Sequence, residues 1–127
     1  MYKKLLVGLV LLGILTTTIA ACGIYDQSSV PTGPTVHMGG ANFLQTSIKI
    51  SKGQSIDLID DVAVEHIIKN GTWKGSSMDL KAESGAPTVN VTLNGNDSST
   101  VGPFTTSGTF ELLCTVHQGM NLTVTVS

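Results

Sequence analysis

From Thr35 onward the chain is written in short runs that alternate apolar and polar residues. Leu44, Thr46, Ile48 and Ile50 share one parity, with Gln45, Ser47 and Lys49 between them. Ile56 and Leu58 repeat the pattern around Asp57, and Val89, Val91 and Leu93 repeat it around Asn90 and Thr92. Phe110, Leu112 and Cys114 follow, then Leu122, Val124 and Val126. Successive side chains of a strand point to opposite faces, so each run predicts a strand with one face in a core and the other in water. Turn-forming clusters separate the runs: Ser51-Lys52-Gly53, Asn70-Gly71, Ser84-Gly85-Ala86-Pro87, Asn94-Gly95-Asn96-Asp97 and Ser107-Gly108. Short strands broken in this way predict an all-β, antiparallel Greek-key sandwich or barrel of about 7–8 strands. No segment sustains a helical period; Ser76 to Glu83 has room for one helical turn at most.

The first residues follow another rule. Lys3 and Lys4 precede an apolar run of eleven residues, Leu5 to Leu15. A bilayer span needs roughly 20, so this run is too short to cross by itself. Three threonines and then Ile19-Ala20-Ala21-Cys22 close it, which is a signal-peptide pattern over residues 1–21. The Ile-Ala-Ala-Cys ending resembles a bacterial lipobox, which implies cleavage before Cys22 and lipid attached to it. An ordinary secreted protein or an uncleaved anchor is the alternative. Gly23 to Pro34 is rich in Ser, Thr, Pro and Gly, so residues 22–34 read as a lipid-anchored flexible tether and 35–127 as the folded domain. The expected location is extracytoplasmic, anchored to a membrane, at the cell surface or in the periplasm.

Charge and cysteine usage narrow the function. Without residues 1–21 there are five Lys against nine acids, a net charge of −4, and the chain has no Arg. No basic patch exists to hold phosphates, which excludes nucleic-acid binding. Asp60, Asp61 and Glu65 cluster ahead of His66, either to steer a cationic partner or as a solvated strand end. Outside the cytoplasm two cysteines would suggest a disulfide. Here Cys22 has a lipid to carry and Cys114 faces a core, so none is expected.

The chemistry is concentrated near the end, in Cys114-Thr115-Val116-His117-Gln118-Gly119-Met120. Cys114 is the last inward rung of one strand, Gly119 marks a turn, and Asn121 opens the next strand. Thiolate, imidazole and thioether are the donors that copper selects, and a His₂Cys site with a weak axial Met is an electron-transfer arrangement. One loop thus offers Cys114, His117 and Met120, and the second imidazole must come from elsewhere. Of the three histidines, His66 follows an apolar, β-branched segment and is the expected ligand, on or beside a strand and half-buried. Its bland alternative is a core histidine bonded to backbone. His37, followed by Met38 and two glycines, is the competitor, as a second soft-metal site or part of a rim. Trp73 is expected to pack on the barrel end, and Met78 to fill a gap or lie exposed.

These residues resemble the copper-site signature of the cupredoxins, the plastocyanin and amicyanin group, over about Thr35 to Ser127. The Cys-x-x-His-x-x-Met spacing is similar to the short amicyanin loop. The resemblance implies one type 1 copper bound by His66, Cys114, His117 and Met120, and one-electron transfer with no enzymatic turnover. It implies a monomer whose partners are redox proteins, cytochromes or membrane oxidoreductases. It also implies that His117 passes electrons within a surface apolar patch, with Gly119, Met120 and either Met38 or Pro103 beside it. Phe104, Phe110 and Leu112 are candidates for the apolar shell of the Cys114 sulfur. Many members have Asn directly after the first His, bracing the Cys loop; this chain has Ile67, so another residue must supply the brace.

Two other classes compete. A copper carrier or chaperone lipoprotein would hand Cu(I) on from an exposed, exchangeable site, and the His37-Met38 pair keeps that reading open. An adhesive or structural β-domain would make the Cys, His and Met coincidental. A hydrolase is disfavoured, since no Ser/His/Asp arrangement or phosphate loop is present, and no second copper constellation suggests oxidase chemistry.

Overall fold

A computed structural model describes residues 33–127 of the chain. The expected signal segment, the lipidation at Cys22 and all of the tether before Gly33 lie outside the described residues. Within them there is no helix, and Ser76 to Glu83 forms no helical turn.

Ten strands occur in chain order: β1 (Thr35–Met38), β2 (Ser47–Ile50), β3 (Ile56–Asp60), β4 (His66–Asn70), β5 (Thr72–Lys74), β6 (Ser77–Asp79), β7 (Asn90–Leu93), β8 (Ser98–Val101), β9 (Gly108–Cys114) and β10 (Asn121–Val126). They form a three-stranded sheet in the order β1-β3-β8 and a five-stranded sheet in the order β2-β10-β9-β4-β7. The remaining pair, β5-β6, is a small hairpin. The eight strands of the two main sheets meet the expected all-β sandwich. The expectation of purely antiparallel pairing fails twice, because β1 pairs β3 in parallel and β2 pairs β10 in parallel. β1 and β3 lie in one sheet and β2 in the other, so β1 and β3 become neighbours only after a crossover through β2, and parallel neighbours require such a crossover.

The core lies between the two sheets. Val36, Met38, Ile56, Leu58, Ile68, Leu93, Leu112, Leu122 and Val124 are all fully buried. The alternation of β9 and β10 is as the sequence indicates, with Phe110, Leu112 and Cys114 inside opposite Val124 and Leu122. Parity misleads elsewhere. Leu44 is 60% exposed and Thr46 is exposed, because β2 starts only at Ser47. Phe43 enters the core instead, bridged to Met38. Leu113, on the outer parity of β9, is fully buried, and β5 packs on that outer side of β9 and β10. Asp57 and Asp60 are buried rather than solvated. Asp57 is satisfied there by the Gly33 N–H at 3.1 Å and the Thr100 hydroxyl at 2.5 Å.

The hairpin is seated by its turn residues. Gly71 has φ +134°, and a Cβ there would collide with the Asp79 carbonyl oxygen. Only glycine combines this backbone with that approach. Its N–H donates to the Glu111 carbonyl at 2.9 Å, which fastens the start of the hairpin onto β9.

Candidate metal centre

Three elements deliver the site. Cys114 closes β9, His66 opens β4, and the loop between β9 and β10 carries His117 and Met120. β4 and β9 are antiparallel neighbours with Ile68 opposite Cys114, so the start of β4 meets the end of β9. The Cys114 Sγ lies 3.7 Å from His66 Nδ1 and 3.4 Å from His117 Nδ1. The two imidazole rings are 4.8 Å apart at 54°. The three donor atoms all fall within 4.8 Å of one another, and no other His, Cys or acidic group of this kind occurs among the described residues.

Burial is graded across the cluster. His66 and Cys114 are fully buried and Met120 nearly so, whereas His117 is partly exposed. His66 is therefore deeper than its expected half-buried position, and it lies on a strand, as the first residue of β4. Cys114 is a free thiol.

Backbone groups hold the donors in place. His66 Nε2 donates to the Gly39 carbonyl at 2.9 Å; a carbonyl can only accept, so this nitrogen carries the proton. Nδ1 is then the lone pair, aimed at Cys114. The Cys114 N–H donates to the Met120 carbonyl at 3.0 Å, and the Met120 N–H donates to the His117 carbonyl at 3.2 Å. These bonds fold the loop back on itself and put Met120 beside the cluster. The brace expected of Asn comes from backbone: the Ile67 carbonyl accepts the Thr115 N–H at 2.8 Å. Trp73 adds a second fastening, its Nε1 donating to the Cys114 carbonyl at 2.8 Å. The Asn121 amide clasps Trp73 in turn, accepting its N–H at 2.7 Å and donating to its carbonyl at 3.2 Å. Desolvation, then the neighbouring His66, hold the His117 imidazole below its ordinary range, with Asp60 pulling the other way. Neutral imidazole is the form that binds metal.

Several expectations change. Met38 is fully buried in the core, while His37 on the opposite face pairs with Asp61 at 2.9 Å. The two do not form a second soft-metal site, and Met38 is not a surface neighbour of His117. Phe104 and Pro103 lie at the far end of the sandwich, where the Phe104 N–H and carbonyl bond Gln54 and Gly53. Phe104 packs against Phe110 in the core, at 5.8 Å between rings. Of the three acids ahead of His66, Asp60 is buried, Asp61 is tied to His37, and only Glu65 is left as a solvated strand end. The contacts that Gly39, Trp73 and Asp60 make with His66 and Cys114 were not among the sequence expectations, although the Gly39-Gly40 turn was a usable signal.

No protein-family model matches the chain, and no curated protein does so. Solved structures match it well. Amicyanin from Paracoccus versutus is 16% identical, with 78% of this chain and 86% of that chain covered and a TM-score of 0.60. The fold is that of the cupredoxins. The purple cupredoxin of Nitrosopumilus maritimus is 18% identical, covering 74% of this chain and 99% of its own, at a TM-score of 0.56. The reduced Cu(I) form of an amicyanin variant, 15% identical, covers 79% and 87% at a TM-score of 0.59. In this cupredoxin fold the three clustered donors stand at one end of the sandwich, on the strand ends and loop just described.

Proposed function

We propose that this chain binds one copper ion through His66, Cys114, His117 and Met120 and serves as a one-electron carrier, not an enzyme. The observation that carries the reading is the convergence of one buried thiol and two imidazole nitrogens within 4.8 Å, with the His66 lone pair fixed inward by the Gly39 carbonyl. The donor set fits a type 1 site, since thiolate and thioether suit Cu(I) and imidazole suits both oxidation states. Bound copper would supply a Cu(I)/Cu(II) couple. Cys114, on a strand end braced at its N–H and its carbonyl, would hold its position in both states. His66 and Met120 exclude water from the inner side. His117, partly exposed, is the edge through which electrons pass, and the exposed Val116 beside it gives partners an apolar contact. Leu44, also exposed, lies near Gly39, whose carbonyl holds His66. The partners would be redox proteins, cytochromes or membrane oxidoreductases, meeting a monomer held by lipid on Cys22 at the outer face of a membrane.

The carrier reading for Cu(I) needs exposed, exchangeable donors. Three of the four here are buried, which favours electron transfer. Titration of the protein with Cu(II) tests the proposal. An intense blue charge-transfer band that bleaches and returns with reductant and oxidant is expected, and Cys114→Ser should abolish it. A band retained in the variant rules out thiolate ligation. A colourless Cu(I) complex that resists oxidation supports the metal carrier instead.

A further inference from the structure

Asp60 ends β3 with its side chain wholly buried against His66. Its Oδ1 accepts the Val62 N–H at 3.2 Å and stands 3.8 Å from His66 Nε2, too far for a hydrogen bond. Its Oδ2 is buried and has no hydrogen-bond partner. No lysine among the described residues pairs with it. Removing a carboxylate from water with no counter-ion is strongly unfavourable, and an orphaned acceptor adds to the cost. The His66 proton is already taken by Gly39, so Asp60 is not needed to choose the tautomer. What separates the carboxylate from the donor cluster is one imidazole ring, with Nε2 toward Asp60 and Nδ1 toward Cys114.

We propose that Asp60 is the resident counter-charge of the metal centre, set behind His66, where its charge favours Cu(II) over Cu(I). The proposal rests on the copper reading above. Asp60 makes no hydrogen bond to the imidazole, so its charge acts on the site through space. A buried negative charge also attracts a dication more strongly than a monocation, because little solvent screens it. The bound ion in turn supplies the compensation that no side chain gives Asp60.

Asp60→Asn in the full chain tests this. It preserves the shape and the acceptor for the Val62 N–H and removes the charge. Cu(II) affinity is measured by competition with a chelator, Cu(I) affinity by competition with bicinchoninate, and apo-protein melting by circular dichroism. The Cu(II) dissociation constant should rise about 10–100-fold, and the Cu(I) constant by less. Each tenfold difference between the two losses raises the midpoint potential by about 59 mV. The apo variant should melt at or above the parent, since a buried carboxyl with an orphaned oxygen has left the interior. Asp60→Thr, neutral and able to accept the Val62 N–H, carries the same expectation if the Asn variant fails to fold. An unchanged ratio of Cu(II) to Cu(I) affinity overturns the inference. So does an apo variant that melts below the parent while both affinities hold, which would leave Asp60 as a cap for Val62 alone. A parent protein that binds no Cu(II) removes the copper reading itself, whereas a parent that binds and a variant that matches it removes only this inference.

Discussion

The indole N–H of Trp73 ends on the carbonyl of Cys114, so one aromatic side chain bears directly on the residue that carries the thiol. Trp73→Phe keeps an aromatic ring and deletes the donor. A buried acceptor left without its partner costs about 1–3 kcal/mol, so the apo variant should melt below the parent; equal melting would mean that the Cys114 carbonyl has another donor. The sequence made some of this site legible and not the rest, for a physical reason. Cys114, His117 and Met120 are adjacent in the chain, and their donor chemistry is written in their side chains. His66 was legible only as the imidazole that His117 lacked. Gly39 acts through a carbonyl, which every residue has, so no residue type announces it. Trp73 and Asp60 act because hairpin β5-β6 and strand β3 come close to β9 and β4, and such approaches are tertiary facts.

Strand β9 shows the same limit at the next scale. Its inner face, Phe110, Leu112 and Cys114, follows period 2 and was readable. Its outer face holds Glu111 and Leu113, and the β5-β6 hairpin makes that side partly dry. The Lys74-Asp79 pair that ties this hairpin is exposed, so packing rather than the ion pair keeps it in place. Glu111 accepts from the Thr123 hydroxyl at 3.1 Å, and its N–H donates to the Glu83 carboxylate at 3.2 Å. Desolvation raises its carboxyl above the ordinary value of 4.5; Thr123 opposes the rise and the Glu83 charge adds to it. A raised acid binds its proton more tightly folded than unfolded. Its stabilising contribution is therefore complete below the unfolded value and is lost as pH rises through the folded one. Glu111→Gln should accordingly melt above the parent at neutral pH, and the gap should close as pH falls to about 4. A gap that stays constant across that range would place its cause outside the ionisation of Glu111.

At the scale of the whole molecule, the sandwich was legible from turns and alternation, while the two parallel pairs were not. Parallel pairing depends on which sheet each strand joins, and alternation within a strand does not record that. The proposed anchor also belongs to this scale. Cys22→Ser should release the protein from membranes into the soluble fraction, as fractionation and immunoblotting would read; continued membrane association would argue for an uncleaved apolar segment. Strand β1 gives the molecule its direction. Its first residue, Thr35, lies opposite Asp57, just after the Gly33 N–H meets the Asp57 carboxylate. Its last, Met38, lies opposite Asp60, and the following carbonyl is the one that holds His66. The chain thus comes in at the base of the domain and reaches the imidazoles about 10 Å later along one strand. A leash pulling on Gly33 would leave the donor cluster uppermost, turned toward whatever approaches from solution.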